Sequence, residues 1–309
     1  MAVERLVVLR ALGLGDLLTA LPALRGLARA HPRHRRILAA PGALAPLALH
    51  SGAVDAVYDT KPLAPLDLQL SHAGVAVNLH GEGPKSRELL ARTQPRRLIS
   101  FGNGGPAWRA DEHEVDRWCR LLRESEIEAD PSDLDLDPPA TPVPSSVRGA
   151  TLIHPGAASG SRCWPLDRFA AVARTERAAG RTVIVTGGRH ERLLGEFLAD
   201  LAGLPRHAVL AGRTDLLGLA ALVAVAGRVV CGDTGVAHLA TALRTPSVVL
   251  FGPVSPASWG PPADRPWHRA LWAGRTGDPH ADRPDPGLLE IQVGDVLHAL
   301  AELEPAQAA

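Results

Sequence analysis

The stretch Leu6-Val7-Val8-Leu9, running through Arg10-Ala11-Leu12 into Gly13-Leu14-Gly15-Asp16, decides the fold. Four consecutive apolar residues that stop at a glycine-rich turn read as a short strand. An amphipathic segment follows, 17–30, with Pro22 early in it, and predicts a helix. Strand, loop and helix in that order is the repeating unit of an open parallel α/β sheet.

The unit recurs along the chain. Further strands are expected over 36–40, 54–58, 75–79 and 97–101, with helices over 43–50 and 86–93. Proline then accumulates: Pro131, Pro138, Pro139, Pro142 and Pro144 fall within 130–148. No helix or central strand tolerates that density, so this segment is expected to be a linker. Beyond it the alternation restarts, with strands over 150–154, 182–186, 228–231 and 247–251. Helices are expected over 166–179, 191–202, 216–226 and 236–243, and a last amphipathic one over 292–303. The class is therefore α/β with two Rossmann-like halves. The expected boundaries are 1–148 for the first domain, 149–288 for the second and 289–309 for a terminal helix. A length of 309 residues also suits two domains of roughly 100–200 each. Ligands of such sheets sit beyond the carboxyl ends of the strands, and a cleft between two facing domains is the natural active site.

Composition narrows the function. With 46% hydrophobic and 21% charged residues the chain builds cores and is not a disordered one. Thirty-three basic and 33 acidic residues cancel, so no nucleic-acid-binding shell is expected. Cys119, Cys163 and Cys231 form no C-x-x-C pair, which argues against a cysteine zinc site or a disulfide scaffold. The run 6–9 is too short for a signal peptide. The longest apolar stretch, 216–227, has twelve residues, short of the roughly 20 that a membrane helix needs. A soluble, cytoplasmic monomer is expected, with peripheral membrane contact left open.

Four loops carry candidate chemistry. Gly13-Leu14-Gly15-Asp16 lacks the third glycine of a dinucleotide fingerprint, because position 18 is leucine, and it lacks the G-K-[ST] of a P-loop. It leaves a carboxylate, Asp16, at a helix start just after a strand: a helix cap or a general base. His154-Pro155-Gly156-Ala157 leads to Arg162 and Trp164-Pro165. Small residues there let the backbone approach a phosphate, and arginine suits a diphosphate. Gly187-Gly188 precedes Glu191, either a first-turn acid or an acceptor for ribose hydroxyls. Asp233-Thr234-Gly235 starts a helix whose free N–H groups form an anion site, with His238 one turn on.

In this order the four loops resemble glycosyltransferase family 9, the ADP-heptose:lipopolysaccharide heptosyltransferases and their relatives. The resemblance runs almost end to end. Residues 9–22 are similar to the family's opening strand and G-x-G-D turn, and Asn78-Leu79-His80-Gly81 with Lys85-Ser86 to its D-x-x-x…K-S segment. Residues 154–165 are similar to H-P-G-A…K-x-W-P, and 187–191 to G-x-x-x-E. Asp233 to His238, with Phe251-Gly252-Pro253, is similar to D-T-G-x-x-H…F-G-P. Four departures stand out: Arg162 replaces a lysine, Asn78 an aspartate and Val254 a threonine, and residues 277–282 replace a cysteine-rich segment.

The resemblance implies the GT-B fold, two facing Rossmann-like domains with a C-terminal helix crossing back to the first. It implies inverting sugar transfer without a metal or cofactor. A nucleotide-sugar donor, an ADP-sugar, would bind the second domain through His154, Gly156, Ala157, Arg162, Gly187, Glu191, Asp233, Thr234, Gly235 and His238. A glycan, lipopolysaccharide-like or small-molecule acceptor would bind the first through Gly15, Lys85 and Arg87. Asp16 would be the base and Arg162 the cation on the leaving diphosphate. Lys85, Arg87, Arg92, Arg96 and Arg97 form a local basic group where an acceptor phosphate could dock. A D-x-D spacing occurs only at Asp133-Leu134-Asp135-Leu136-Asp137, inside the proline-rich stretch, and is read as solvated linker charge. The alternatives are a transferase or epimerase of the same fold using a UDP- or GDP-sugar, a nicotinamide-dependent oxidoreductase, and a non-catalytic sugar-nucleotide-binding protein.

Overall fold

Alternate residues of a strand point to opposite faces, and in β1 (Arg5–Leu9) both sets are apolar beyond Arg5. Val7 and Leu9 join Ile37, Ala39 and Ala76 in one buried cluster, while Leu6 and Val8 are buried too. A strand dry on both faces belongs in the middle of a parallel sheet, and β1 sits there. The computed structural model describes residues 3–303. They form two compact units that divide between Leu134 and Asp135.

The first unit adds β2 (Arg35–Ala40), β3 (Ala56–Asp59), β4 (Val75–Asn78) and β5 (Arg97–Ile99) in the order β3-β2-β1-β4-β5. All pairings are parallel, Val7 lying opposite Ile37 on one side and Ala76 on the other. The chain builds outward from β1 to β3, then returns to β1's free side with β4. That reversal leaves a crevice beyond the carboxyl ends of β1 and β4, where ligands of such sheets bind.

The second unit repeats the design with β6 (Thr151–His154), β7 (Val183–Val185), β8 (Arg228–Gly232), β9 (Ser247–Leu250) and β10 (His268–Leu271). Its order is β10-β9-β8-β6-β7, again all parallel, with Ile153 between Val185 and Val230. Its switch point lies between β6 and β8.

The structure corrects several expectations. The segment 17–30 is two helices, Leu14–Thr19 and Leu21–Ala30, because Pro22 cannot extend a helix from before it and sits in the first turn of the second. Helix Glu114–Arg123 and strand β10 have no counterpart in the sequence-based scheme. The D-x-D segment is not solvated linker charge. Asp133 takes hydrogen bonds from Arg25 and Arg29 in the first unit, and Asp135 pairs with Arg244 and Arg265 in the second. Leu134 and Leu136, which alternate with these aspartates, are buried. Apart from these corrections, the terminal helix is present over Val293–Ala301 and, within its own unit, packs on helix Leu166–Ala178, β9 and β10.

Candidate functional site

In the first unit the site starts at Arg10, the residue that follows β1. Its side chain is 1% exposed, an expensive place for a guanidinium unless every donor is used. Arg10 Nε donates to the Asp16 carbonyl oxygen at 3.0 Å, Nη1 to the Leu79 carbonyl, and Nη2 to Asp16 Oδ1 at 3.1 Å and Glu114 Oε1 at 2.8 Å. Its flat face lies 4.7 Å over the Trp118 ring. Glu114 also takes the Trp118 indole N–H and a donor from Arg117. Burial alone would push the Glu114 carboxyl up; Arg10 and Arg117 outweigh it and hold the carboxyl below its usual range.

Asp16 is the third residue of helix Leu14–Thr19. Its Oδ2 accepts the Gly13 N–H at 3.1 Å, so the carboxylate does cap the helix. That does not use it up: the side chain is 25% exposed, and each oxygen keeps acceptor capacity beyond its one protein contact. Gly15, one residue earlier, lends its carbonyl to the Thr19 hydroxyl.

The loop after β4 faces this group across the switch point. Asn78 is fully buried: its amide nitrogen donates to Ser86 Oγ at 3.0 Å and the Gly81 carbonyl at 3.3 Å, and its Oδ1 accepts the His80 N–H. An amide does here what a carboxylate cannot, since it donates and accepts. Of the basic group, Arg87 and Arg97 line one open pocket of about 610 Å³ with Ser100, Asn103 and the glycines at 102, 104 and 105. Lys85 stands exposed at the start of helix Lys85–Arg92 and does not line it; Arg96 pairs with Glu4 instead.

In the second unit, two clusters form at the carboxyl ends of β6, β7 and β8. His154 is buried, with Nδ1 3.2 Å from the Thr186 hydroxyl and Nε2 3.9 Å from Glu191 Oε2. Burial keeps its pKa below the usual histidine value against the pull of Glu191. Glu191 takes the Gly188 N–H at 2.6 Å. Gly156 lies hard against the Glu191 carboxylate: a Cβ there would sit 1.7 Å from Oε1, so a side chain at 156 would push the Glu191 carboxylate out of its place. Gly187 lies against the same side chain, and the Ala157 N–H faces the Cys163 thiol.

The second cluster is Arg162 with Asp233, Nη1 to Oδ2 3.4 Å. Burial pushes the Asp233 carboxyl up, and Arg162 draws it back. Arg162 Nε and the Thr234 hydroxyl are buried without an oxygen or nitrogen partner, although the Cys231 thiol lies beside Thr234. Both point to a polar ligand, because a buried donor left unmet costs about 1–3 kcal/mol. Gly235 opens helix Gly235–Ala242, which has no side-chain cap. His238 packs edge-on to Trp259, ring centroids 5.8 Å apart. Sequence reasoning missed that 277–285 clasps the Arg162 turn. Ser161 N–H donates to the Ala281 carbonyl, Ser159 Oγ to the Pro279 carbonyl, and a Cβ on Gly160 would lie 1.9 Å from the Asp282 carbonyl oxygen.

Among the described residues no group of three or more His, Cys, Asp or Glu side chains could hold a metal ion. No described helix is long and apolar enough to cross a membrane.

Two doubly wound parallel sheets, each with charged loops at its switch point, are the architecture of the GT-B class. The chain belongs to glycosyltransferase family 9 (heptosyltransferase), whose model matches residues 105–283. It is 31% identical over 165 residues to lipopolysaccharide heptosyltransferase 3 of Escherichia coli, covering 50% of this chain and 47% of that protein. The chain thus spans about half the length of the curated relatives it matches. Its fold is that of the E. coli ADP-heptose LPS heptosyltransferase II, with TM-score 0.75 at 21% identity, over 97% of this chain and 98% of that one. A second E. coli heptosyltransferase, solved with ADP-2-deoxy-2-fluoro heptose, gives TM-score 0.71 at 18% identity over 96% and 99%.

Proposed function

We propose that the protein transfers a sugar, heptose from an ADP-heptose-type donor, onto a lipopolysaccharide-like or other glycan acceptor. Transfer proceeds with inversion and without a metal ion. The observation that carries this reading is the buried, unpartnered Arg162 Nε beside the Thr234 hydroxyl, whose one neighbour is the Cys231 thiol, at the start of a helix without a side-chain cap. Together they offer a diphosphate a fixed cation, a hydroxyl and backbone N–H groups. Glu191 holds ribose hydroxyls, and Asp233 and His238 contact the sugar or phosphate. The acceptor binds the first unit near Gly15, with Lys85 and Arg87 meeting its anionic groups. The donor class assigns the protein to the cytoplasm, where nucleotide sugars are made.

The acceptor hydroxyl attacks the anomeric carbon on the face opposite the diphosphate. Its proton passes to Asp16 late, as the C–O bond forms. The bond from the anomeric carbon to the phosphate oxygen breaks, and its electron pair leaves with the nucleotide diphosphate. Arg162 and the N–H groups after Thr234 meet that growing charge.

Calorimetry with ADP, UDP, GDP and their sugars tests the donor, and transfer to heptose-free lipopolysaccharide tests the reaction. ADP preference and product formation that persists in excess EDTA are expected. A UDP or GDP preference would move the protein to another donor class. Loss of activity on chelation, restored by Mg²⁺ or Mn²⁺, overturns the metal-independent mechanism.

A further inference from the structure

His80 stands two residues past the end of β4, across the switch point from Ala11, two residues past the end of β1. Its Nδ1 accepts the Ala11 N–H at 3.2 Å. A ring nitrogen that accepts a backbone N–H carries no proton, so the ring is the neutral tautomer with its hydrogen on Nε2. The loop locks this orientation. His80 N–H donates to Asn78 Oδ1 at 3.1 Å, the Leu79 N–H donates to the Leu9 carbonyl at 3.0 Å, and the Leu79 carbonyl accepts from Arg10. The side chain is half-buried, and no described residue partners Nε2. Burial and Arg10 hold its pKa below the usual value while Asp16 acts in the opposite sense, so these groups share one electrostatic neighbourhood.

We propose that the His80 Nε2–H group donates a hydrogen bond to the acceptor's attacking hydroxyl and aims it at Asp16. This rests on the reading of Asp16 as the base of a sugar transfer. A hydroxyl has one hydrogen and two lone pairs. One lone pair takes the His80 hydrogen, the hydroxyl's own hydrogen points to Asp16, and the second lone pair is left to attack. Three roles on one oxygen fix its orientation, which a single contact with Asp16 does not. His80 neither gains nor loses a proton in the reaction. The O–H bond breaks to Asp16, the new C–O bond forms, and the leaving diphosphate takes the electron pair.

Two substitutions separate this role from a structural one. The Asn side-chain oxygen takes the place of Nδ1 and keeps the Ala11 N–H, but it has no donor at the Nε2 position. The Gln amide reaches the Nε2 position as a donor but leaves Ala11 without its fixed partner. Steady-state transfer from ADP-heptose to heptose-free lipopolysaccharide is measured for wild type, His80→Asn and His80→Gln, with ADP binding by calorimetry and Tm as controls. His80→Asn is expected to lower kcat/KM for the acceptor about tenfold, the value of one neutral hydrogen bond, with ADP affinity unchanged. His80→Gln should recover most of that loss. The reverse order, His80→Asn near wild type and His80→Gln impaired, overturns the proposal and makes His80 a brace for the loop after β1. Equal losses in both variants overturn it as well. Absence of transfer by the wild type defeats the sugar-transfer reading itself, and the proposal with it.

Discussion

At the scale of single residues, the opening turn was legible as a carboxylate beside a strand end, and the structure gives Asp16 both the cap and an open side. Asp16→Asn keeps an oxygen for the Gly13 N–H, turns its amide nitrogen toward Arg10, and cannot take a proton. The expected result is an unchanged fold and ADP affinity with transfer reduced ~10²–10⁴-fold; wild-type turnover in this variant reduces Asp16 to a cap. Arg162 is tested by a different split. The leaving diphosphate gains charge only as the glycosidic bond breaks, so the cation stabilises the transition state more than the bound donor. Arg162→Ala should cost ~10²–10³-fold in kcat with a smaller change in donor Kd, and Arg162→Lys should restore part of it. A kcat within about twofold for both variants, ~0.4 kcal/mol, makes Arg162 no more than a partner for Asp233. Gly156 belongs at this scale too. The sequence reading keeps Gly156 small for a phosphate; in the structure the Glu191 carboxylate lies on the side that a Cβ would take.

At the scale of elements, strands were read where apolar runs end in glycine, because burial on both faces of a parallel sheet leaves an uninterrupted signal. The signal failed at β10, whose His268 and Arg269 interrupt the run at a sheet edge. It failed again at helix Glu114–Arg123, whose inward face carries Glu114, Arg117 and Arg120 beside Trp118 and Leu121. Buried charges blur the apolar stripe from which a helix is read. The unread helix is the one that completes the first unit's site, since it supplies Glu114 and Trp118 to Arg10. The proline-rich stretch misled for a related reason: Asp133 and Asp135 look solvated until their arginine partners, some 100 residues away, are known. Glu114→Ala is therefore predicted to be severe. It leaves Arg10 and Arg117 in the interior without their shared carboxylate, and breaking a buried pair costs about 3–5 kcal/mol. Denaturant unfolding should show that loss, together with weaker transfer as Arg10 loses its hold on Asp16. A midpoint within error of wild type means that the remaining partners of Arg10 suffice.

At the scale of the whole molecule, stability should depend on pH through the second unit's buried histidines. His268 is 6% exposed, takes its hydrogen-bond partner from the Ser247 hydroxyl at 2.8 Å, and leaves Nε2 buried without a partner. Burial, reinforced by Arg265, lowers its pKa to about 3. The unfolded chain titrates near the ordinary value of about 6.5. Between these values the unfolded state binds a proton that the folded state does not, so stability falls as pH drops below about 6.5. The slope is about 1.4 kcal/mol per pH unit for this one group, or about 2 kcal/mol between pH 7 and pH 5. His154, also lowered by burial, adds to the same trend, whereas the Asp233 carboxyl, raised by burial, works against it, since the folded state binds its proton more tightly than the unfolded chain. For a unit of this size each kcal/mol moves Tm by roughly 2–4 °C. His268→Asn keeps a polar group for Ser247 and removes the titration. Its Tm should fall by about 4–8 °C less than that of the wild type between pH 7 and pH 5. Parallel curves for the two proteins mean that His268 does not set the acid limb, and leave it to the other histidines lowered by burial, His154, His80 and His31.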